Sequence, residues 1–436
     1  MSDVSLWLNL LLLCLLVWLQ RRFFQRVFQP VWQRWQQGRA RRWKPQSPHA
    51  CCHCQSGVHL SLVRSSADIR PYADRKSRRG RKKSVPTRGF ACPTPHCHYH
   101  GVTDDTLHAL VGYGTDHAIQ RFKCQACKKV FTSRVNTPLY YLKTDPGQVA
   151  FVLWFLAEGV DVSVLVRYTG HADATLARWL ERMGTHSQGW HTFFFRNLAL
   201  ALIQMDELYT RSRATATATW LWLALDPLSK AIPAMHIGAR TQVDAFALVH
   251  DLRLRLLPDC IPAITTDGLR LYFYALTAHF GHWFRPPRAR TDHWRASPHL
   301  HYGQLVKSTG KRHATLTHTR MLWGSRRILC ARLRRVGLRP FIQTAFVERV
   351  NLTFRQSVAP LSRRTWSYAQ SEHHLRLHCE WFRLYYHFVR PHQSLQLTLP
   401  GLKRIHRLRS PAMALNLTPH LWSVHDLLHH PAPQVA

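Results

Sequence analysis

The sequence predicts an α/β fold fronted by a cysteine-bearing module and a helical unit. Strand-length apolar runs recur after residue 197: LALALIQM at 198–205, TWLWLAL at 219–225 and IPAITT at 261–266. A stretch of helical period, VDAFALVHDLRLRLL at 243–257, separates the last two, so strands and helices alternate. Each run leads directly into an aspartate, Asp206, Asp226 and Asp267, and two short-spaced cysteine pairs stand well upstream of them.

Composition limits the function classes. The 436 residues carry 60 Lys plus Arg against 23 Asp plus Glu, a formal net charge of +37, which calls for a polyanionic partner. Only six of the acids are glutamates, so a glutamate inside a structured helix has few structural explanations. Eleven cysteines, several in close pairs, fit metal binding in a reducing cytoplasm better than a secreted disulfide framework.

From the N-terminus, Leu6 to Leu19 form an apolar run followed by Gln20, Arg21 and Arg22. It is shorter than the roughly 20 residues that span a bilayer, and neither the charges nor the cleavage site of a signal peptide flank it. The expectation is a buried or self-associating helix, with membrane attachment and a misassigned start as lesser alternatives. Residues 23–43 interleave aromatics with Arg and Gln and suit a membrane surface or a partner helix equally. Residues 44–88 are rich in Pro, Ser and Arg, and RKSRRGRKK at 75–83 has seven basic residues in nine: a linker that grips phosphates without reading sequence.

Between 89 and 140, Cys92 and Cys97 form one knuckle and Cys124 and Cys127 a second. Two such pairs turn four thiolates toward one ion, as a structural zinc in a ribbon requires. The CxxxxC spacing and the nearby His96, His98 and His100 leave the ligand set partly open, and Cys51, Cys52 and Cys54 offer a weaker second knuckle.

Residues 141–190 read as helices. Asp145 and Pro146 suit an N-cap and first turn, Gly159 a break, DVSVLVRYTG a short second helix, and HADATLARWLERMG a third. This is the pattern of a helix-turn-helix, in which His171, Thr175 and Arg178 face the major groove while Leu176, Trp179 and Leu180 face the core; a plain three-helix packing unit is the alternative.

The chemistry starts at Asp206, at the end of an apolar run where an uncompensated carboxylate is costly. A pair of strands turning through Asp226 and Pro227 follows, then the helix, then a strand ending on Asp267. Neighbouring parallel strands bring their ends within about 5 Å, so the two aspartates suit one metal site. Glu348 supplies a third acid, and Glu348, Asn351 and Arg355 share a helix face that would show the acid to the metals and the amide and guanidinium to DNA. Asp292 is a weaker alternative third acid.

The blocks MDE at 205–207, TTDG at 265–268 and ERVNLTFRQ at 348–356 resemble the three motifs of the DDE transposases of bacterial insertion sequences. YHFVRPHQSL at 386–395 is similar to the ending of many integrase-like cores, except that His387 stands where asparagine is usual. The resemblance covers about 90–400 and implies a ribonuclease-H-like, retroviral-integrase-like mixed sheet flanked by helices. It also implies Mg2+ or Mn2+ held by Asp206, Asp267 and Glu348, and structural Zn2+ on the four cysteines. By this resemblance the catalytic core spans 196–400, with an added DNA-contacting segment at 281–323, and 401–436 forms a tail.

The activity so implied is cleavage and strand transfer at the ends of an insertion sequence by two-metal phosphoryl transfer. Its partners are terminal inverted repeats and target DNA, bound by Arg178, Thr175, His171, Arg349, Asn351 and Arg355, with a homo-oligomer assembled on paired ends in the nucleoid. Two alternatives remain: a catalytically inactive or domesticated zinc-ribbon DNA-binding protein, and a nuclease of the same fold.

Overall fold

The structure is a computed structural model that describes Thr87 and residues 90–101, 109–116, 119–212, 218–287, 290–309, 315–363, 365, 367–398 and 406–432. The expectations for the apolar segment, the basic run at 75–83 and Cys51, Cys52 and Cys54 lie outside the described residues. Among the described residues, no helix is long and apolar enough to cross a membrane.

The first elements are β1 (Leu110–Asp116), β2 (Ile119–Cys124) and β3 (Val130–Thr132), an antiparallel sheet in that order. Tyr99, Leu110, Phe122 and Phe131 are buried beside its cysteines, with the Phe90 ring tilted against Phe122 at 4.6 Å.

Three helices follow: α1 (Pro146–Ala157), α2 (Val162–Thr169) and α3 (Asp173–Phe194). Asp145 caps α1 by accepting from the Gln148 amide, and Asp161 caps α2 by accepting from Ser163. Gly159 (φ +86°) makes the break between them, and a side chain there would collide with the Gln356 carbonyl. Gly170 ends α2 in the left-handed conformation that glycine adopts without strain.

Helix α3 runs ten residues beyond the glycine expected to end it. Gly184 is a packing position instead: a Cβ there would lie 2.5 Å from the Leu377 carbonyl of a later helix. The helix continues because Trp190, Phe193 and Phe194 at its far end are core residues. It therefore serves both the helical unit and the core behind it.

The core is a six-stranded mixed sheet flanked by helices. Its strands are β4 (Leu202–Thr210), β5 (Thr219–Leu225), β6 (Ala234–Gly238), β7 (Ala263–Thr266), β10 (His301–Thr309) and β11 (Thr315–Trp323). Between these lie α4 (Gln242–Arg255), α5 (Leu271–His279) and a hairpin of β8 (Gly281–Phe284) and β9 (His293–Ala296). The order is β11-β10-β7-β4-β5-β6; β4, β7 and β10 run parallel, and the outer strands run antiparallel to their neighbours. Asp226 closes the β5–β6 turn by accepting from the Leu228 and Ser229 amides.

The segment 281–323 is not wholly an insertion. Only the β8–β9 hairpin stands apart from the sheet; β10 and β11 are strands of it. The reason is chemical: β10 buries polar groups, so it lacks an apolar signature. Tyr302 shares a hydrogen bond with Thr266 (2.9 Å), and Gln304 donates to the Tyr302 hydroxyl while accepting from Arg320.

After the sheet come α6 (Arg326–Arg335), α7 (Ala345–Ser357) and α8 (Glu372–Phe388). A two-stranded sheet of β12 (His392–Thr398) and β13 (His406–Arg409) and the short helices α9 (Pro411–Ala414) and α10 (Val424–His429) complete the described chain. His387 is a core residue, accepting from the Ile232 amide and stacked 4.4 Å from Phe195. Its place in the ending motif is therefore a packing matter.

Candidate active site

The parallel register of β4 and β7 pairs Met205 with Thr266, which sets Asp206 beside Asp267. Asp206, Glu207 and Asp267 each offer a carboxylate oxygen, and the three lie within 4.8 Å of one another. Glu207 was visible in the sequence only as part of a motif. Its side chain is 3% exposed, held by the Arg240 guanidinium through Nε (3.1 Å) and Nη2 and by the Tyr272 hydroxyl (3.1 Å).

Electrostatics follow from this crowding. Burial, reinforced by Glu207 and Asp267, pushes Asp206 up to about 7. Burial also raises Glu207, with Asp267 adding to it, and raises Asp267 against the pull of the Leu269 amide, Arg240 and Lys307. A buried site that resists losing its protons is one that a divalent cation stabilises, and hard carboxylate oxygens suit magnesium or manganese.

Glu348 lies in the first turn of α7, facing this cluster but outside its 4.8 Å radius. It accepts from Lys307 of β10 (2.7 Å) and from Thr344 (2.9 Å). Burial works to raise it, yet these two bonds hold it below the ordinary glutamate range. Lys307 is thus the counter-cation of Glu348, and its charge also acts on Asp206 and Asp267.

Two side chains fasten α7 to β4. Asn351 donates to the Asp206 carboxylate (2.8 Å). Gln204 accepts from the Phe346 and Val347 amides (both 3.2 Å), satisfying two free N–H groups at the start of α7, and donates to the Gln343 carbonyl (2.8 Å). Sequence reasoning missed Gln204; the signal was a lone amide in the apolar run that ends at Asp206.

On the Glu348 face Asn351 donates to Asp206, and the half-buried Arg355 donates to the backbone carbonyls of Leu361 (3.1 Å) and Tyr209 (3.3 Å), while Arg349 is exposed. Asp292 pairs with Arg285 (2.8 Å) on the hairpin, more than half exposed and not part of the carboxylate cluster.

On α3, Leu176, Trp179 and Leu180 are buried. Arg178 is exposed, Thr175 is half-buried, and His171, just before the helix, is half-buried with its ring edge-on to Trp179 at 5.0 Å. Of the three groove-facing candidates, Arg178 is the one fully open to a partner.

Cys92, Cys97, Cys124 and Cys127 converge, each sulfur within 4.8 Å of the others. Cys92 approaches Cys127 to 3.5 Å and Cys97 approaches Cys124 to 3.6 Å. Burial pushes Cys92 up to about 11; at Cys127 burial acts upward too, but the Lys129 amide and neighbouring thiols bring it down to about 7. The nearby histidines are outside this group: His100 bonds the Cys92 carbonyl (3.2 Å) rather than facing the sulfurs. Four convergent thiols are the donor set of a tetrahedral zinc.

Comparison with protein-family models finds no match, and comparison with curated proteins finds no significant one.

Proposed function

We propose that the chain is a DDE-type transposase, a polynucleotidyl transferase that cuts and rejoins DNA at the ends of an insertion sequence. The observation that carries this is the meeting of Asp206 and Asp267 on adjacent parallel strands beneath a helix that bears Glu348 and is tied to Asp206 through Asn351. The order β6-β5-β4-β7-β10, with the first three antiparallel and the rest parallel, is compatible with a ribonuclease-H-like sheet. The +37 charge supplies the attraction to DNA.

Bound magnesium or manganese supplies Lewis acidity for both the attacking and the leaving oxygen of an in-line displacement. The protein's own groups do the rest. Asp206, Asp267 and Glu348 hold the ions; Asn351 orients Asp206; Gln204 fixes the start of α7; and Lys307, displaced from Glu348, is free to meet a phosphate. In the first step a water oxygen attacks phosphorus at the element end and the P–O3′ bond breaks, leaving a 3′-hydroxyl. That hydroxyl then attacks a target phosphodiester, whose own 3′ oxygen departs.

The cysteine cluster carries a structural zinc, and the ribbon and helical unit bind terminal inverted repeats, with Arg178 and Arg349 on the DNA side. A homo-oligomer on paired ends, acting on nucleoid DNA, completes the reading. The test is nicking of a duplex bearing the element's end in magnesium. The wild-type chain nicks it, and Asp267→Asn binds the duplex but does not nick. Equal nicking by both proteins defeats the assignment.

A further inference from the structure

Asp206 and Glu207 are consecutive on β4, so their side chains leave opposite faces of the strand. Asp206 turns to α7, where Asn351 meets it; Glu207 turns to α5, where it accepts from the Tyr272 hydroxyl (3.1 Å). Trp222, opposite Glu207 in the β4–β5 register, lies on that side with its ring edge-on to Tyr272 at 5.6 Å. Even so, the Glu207 carboxylate comes within 4.8 Å of those of Asp206 and Asp267.

The second partner of Glu207 is Arg240, in the connection between β6 and α4. Its Nε and Nη2 both donate to Oε1, while the Tyr272 hydroxyl donates to Oε2. The same guanidinium lies over the Trp220 ring at 4.8 Å. The loop that carries it is pinned on both sides: the Ala239 carbonyl accepts from the Trp222 indole (3.0 Å), and Thr241 caps α4. Arg240 is thus a fixed cation beside a cluster of acids. Its charge reaches past its partner, for burial raises Asp267 while the Leu269 amide and Arg240 pull it back.

A guanidinium and a divalent cation seek the same carboxylate oxygens. With Glu207 in place, Arg240 is satisfied at one carboxylate and rests on Trp220. Without that charge, the carboxylates beside the vacated position are Asp206 and Asp267. A buried carboxylate is costly, and a neutral amide would satisfy Tyr272 equally well, so the charge at position 207 answers Arg240. Resting on the metal-site part of the transposase reading, we propose that Glu207 is a positioning residue that neutralises Arg240 and keeps its guanidinium off Asp206 and Asp267, leaving both free for the divalent cation.

The experiment measures Mn2+ binding to the full-length chain by electron paramagnetic resonance, without DNA. It compares the wild type with Glu207→Gln, Arg240→Met, the double variant and Tyr272→Phe. Glu207→Gln should bind about 10- to 100-fold more weakly, the usual loss when a group behind a metal ligand is removed. Arg240→Met should bind at least as tightly as the wild type, and the double variant should recover most of what Glu207→Gln loses. Tyr272→Phe breaks the other bond but leaves the charge pair, so it should cost less than Glu207→Gln.

Unchanged affinity in Glu207→Gln overturns the proposal. So does a double variant as weak as Glu207→Gln, which would make Glu207 a ligand or a purely structural group, and so does a loss in Tyr272→Phe as large as in Glu207→Gln. Arg240→Met decides the matter even if Glu207→Gln fails to fold, since weaker binding by that variant contradicts the proposal outright. A wild-type chain that binds no manganese overturns the metal reading and the proposal together. A chain that binds manganese in the expected pattern but never cuts DNA supports the role of Glu207 and removes the transposase reading.

Discussion

Replacing Gln204 with leucine perturbs the link between the first strand of the site and the helix that carries Glu348. The wild-type side chain makes three hydrogen bonds, two accepted from Phe346 and Val347 and one donated to the Gln343 carbonyl. At about 1 kcal/mol per bond, the loss is about 3 kcal/mol. The Gln343 carbonyl keeps its second donor, the Thr265 hydroxyl (3.1 Å), so the two amides at the start of α7 carry most of the penalty. Leucine is close in volume, so a cavity adds little. The start of α7 then shifts, and because a misplacement of about 1 Å can cost about 100-fold in rate, DNA nicking should fall at least about tenfold while DNA affinity holds. Urea denaturation and single-turnover nicking read the two effects separately. A variant within 0.5 kcal/mol of wild type in stability, about half the cost of one such bond, and unchanged in rate would refute the role given to Gln204.

Zinc analysis of the purified chain should give one ion per chain, and Cys124→Ser should remove it and unfold the ribbon; a metal-free wild type with an intact ribbon contradicts this. Stability should fall in mild acid, because burial depresses His186 and His378 to about 4 while the unfolded chain titrates near 6.5. The unfolded state binds these protons more tightly, so stability is complete above about pH 6.5, declines as pH falls toward 4, and levels off below. These two alone account for about 4 kcal/mol of loss between pH 7 and pH 5, while the raised Asp206 works the other way by about 2 kcal/mol, so denaturant titration should show a net fall over that window, and a flat or rising profile contradicts it.

What the sequence made legible was the part governed by local pattern. An apolar run leading to an acid marked β4 with Asp206, although the strand runs on to Thr210, and β7 with Asp267, while Asp145 and Pro146 marked the start of α1. What it hid depended on contacts between distant residues. Asn351 reaches Asp206 across 145 positions, and Gln204 reaches α7 across 142 and 143, so neither partner is visible in a local window. Strand β10 escaped notice because its buried face is Tyr302 and Gln304 rather than aliphatic, and Glu207 because its partner Arg240 lies 33 residues away, in the connection after β6. Gly184 looked like a helix end, yet it is the place where α3 and α8 approach too closely for a side chain. Local signals thus located the acids, while long-range hydrogen bonds decided which neighbours hold them.

The most direct test of the central claim is strand transfer of a labelled duplex carrying the element's end into a target plasmid, in magnesium, with the wild-type chain and Glu348→Gln. The account predicts joined product from the wild type, and from Glu348→Gln normal binding of the end without joining. Joining at the wild-type rate by Glu348→Gln, or binding without any cutting by the wild type, contradicts it.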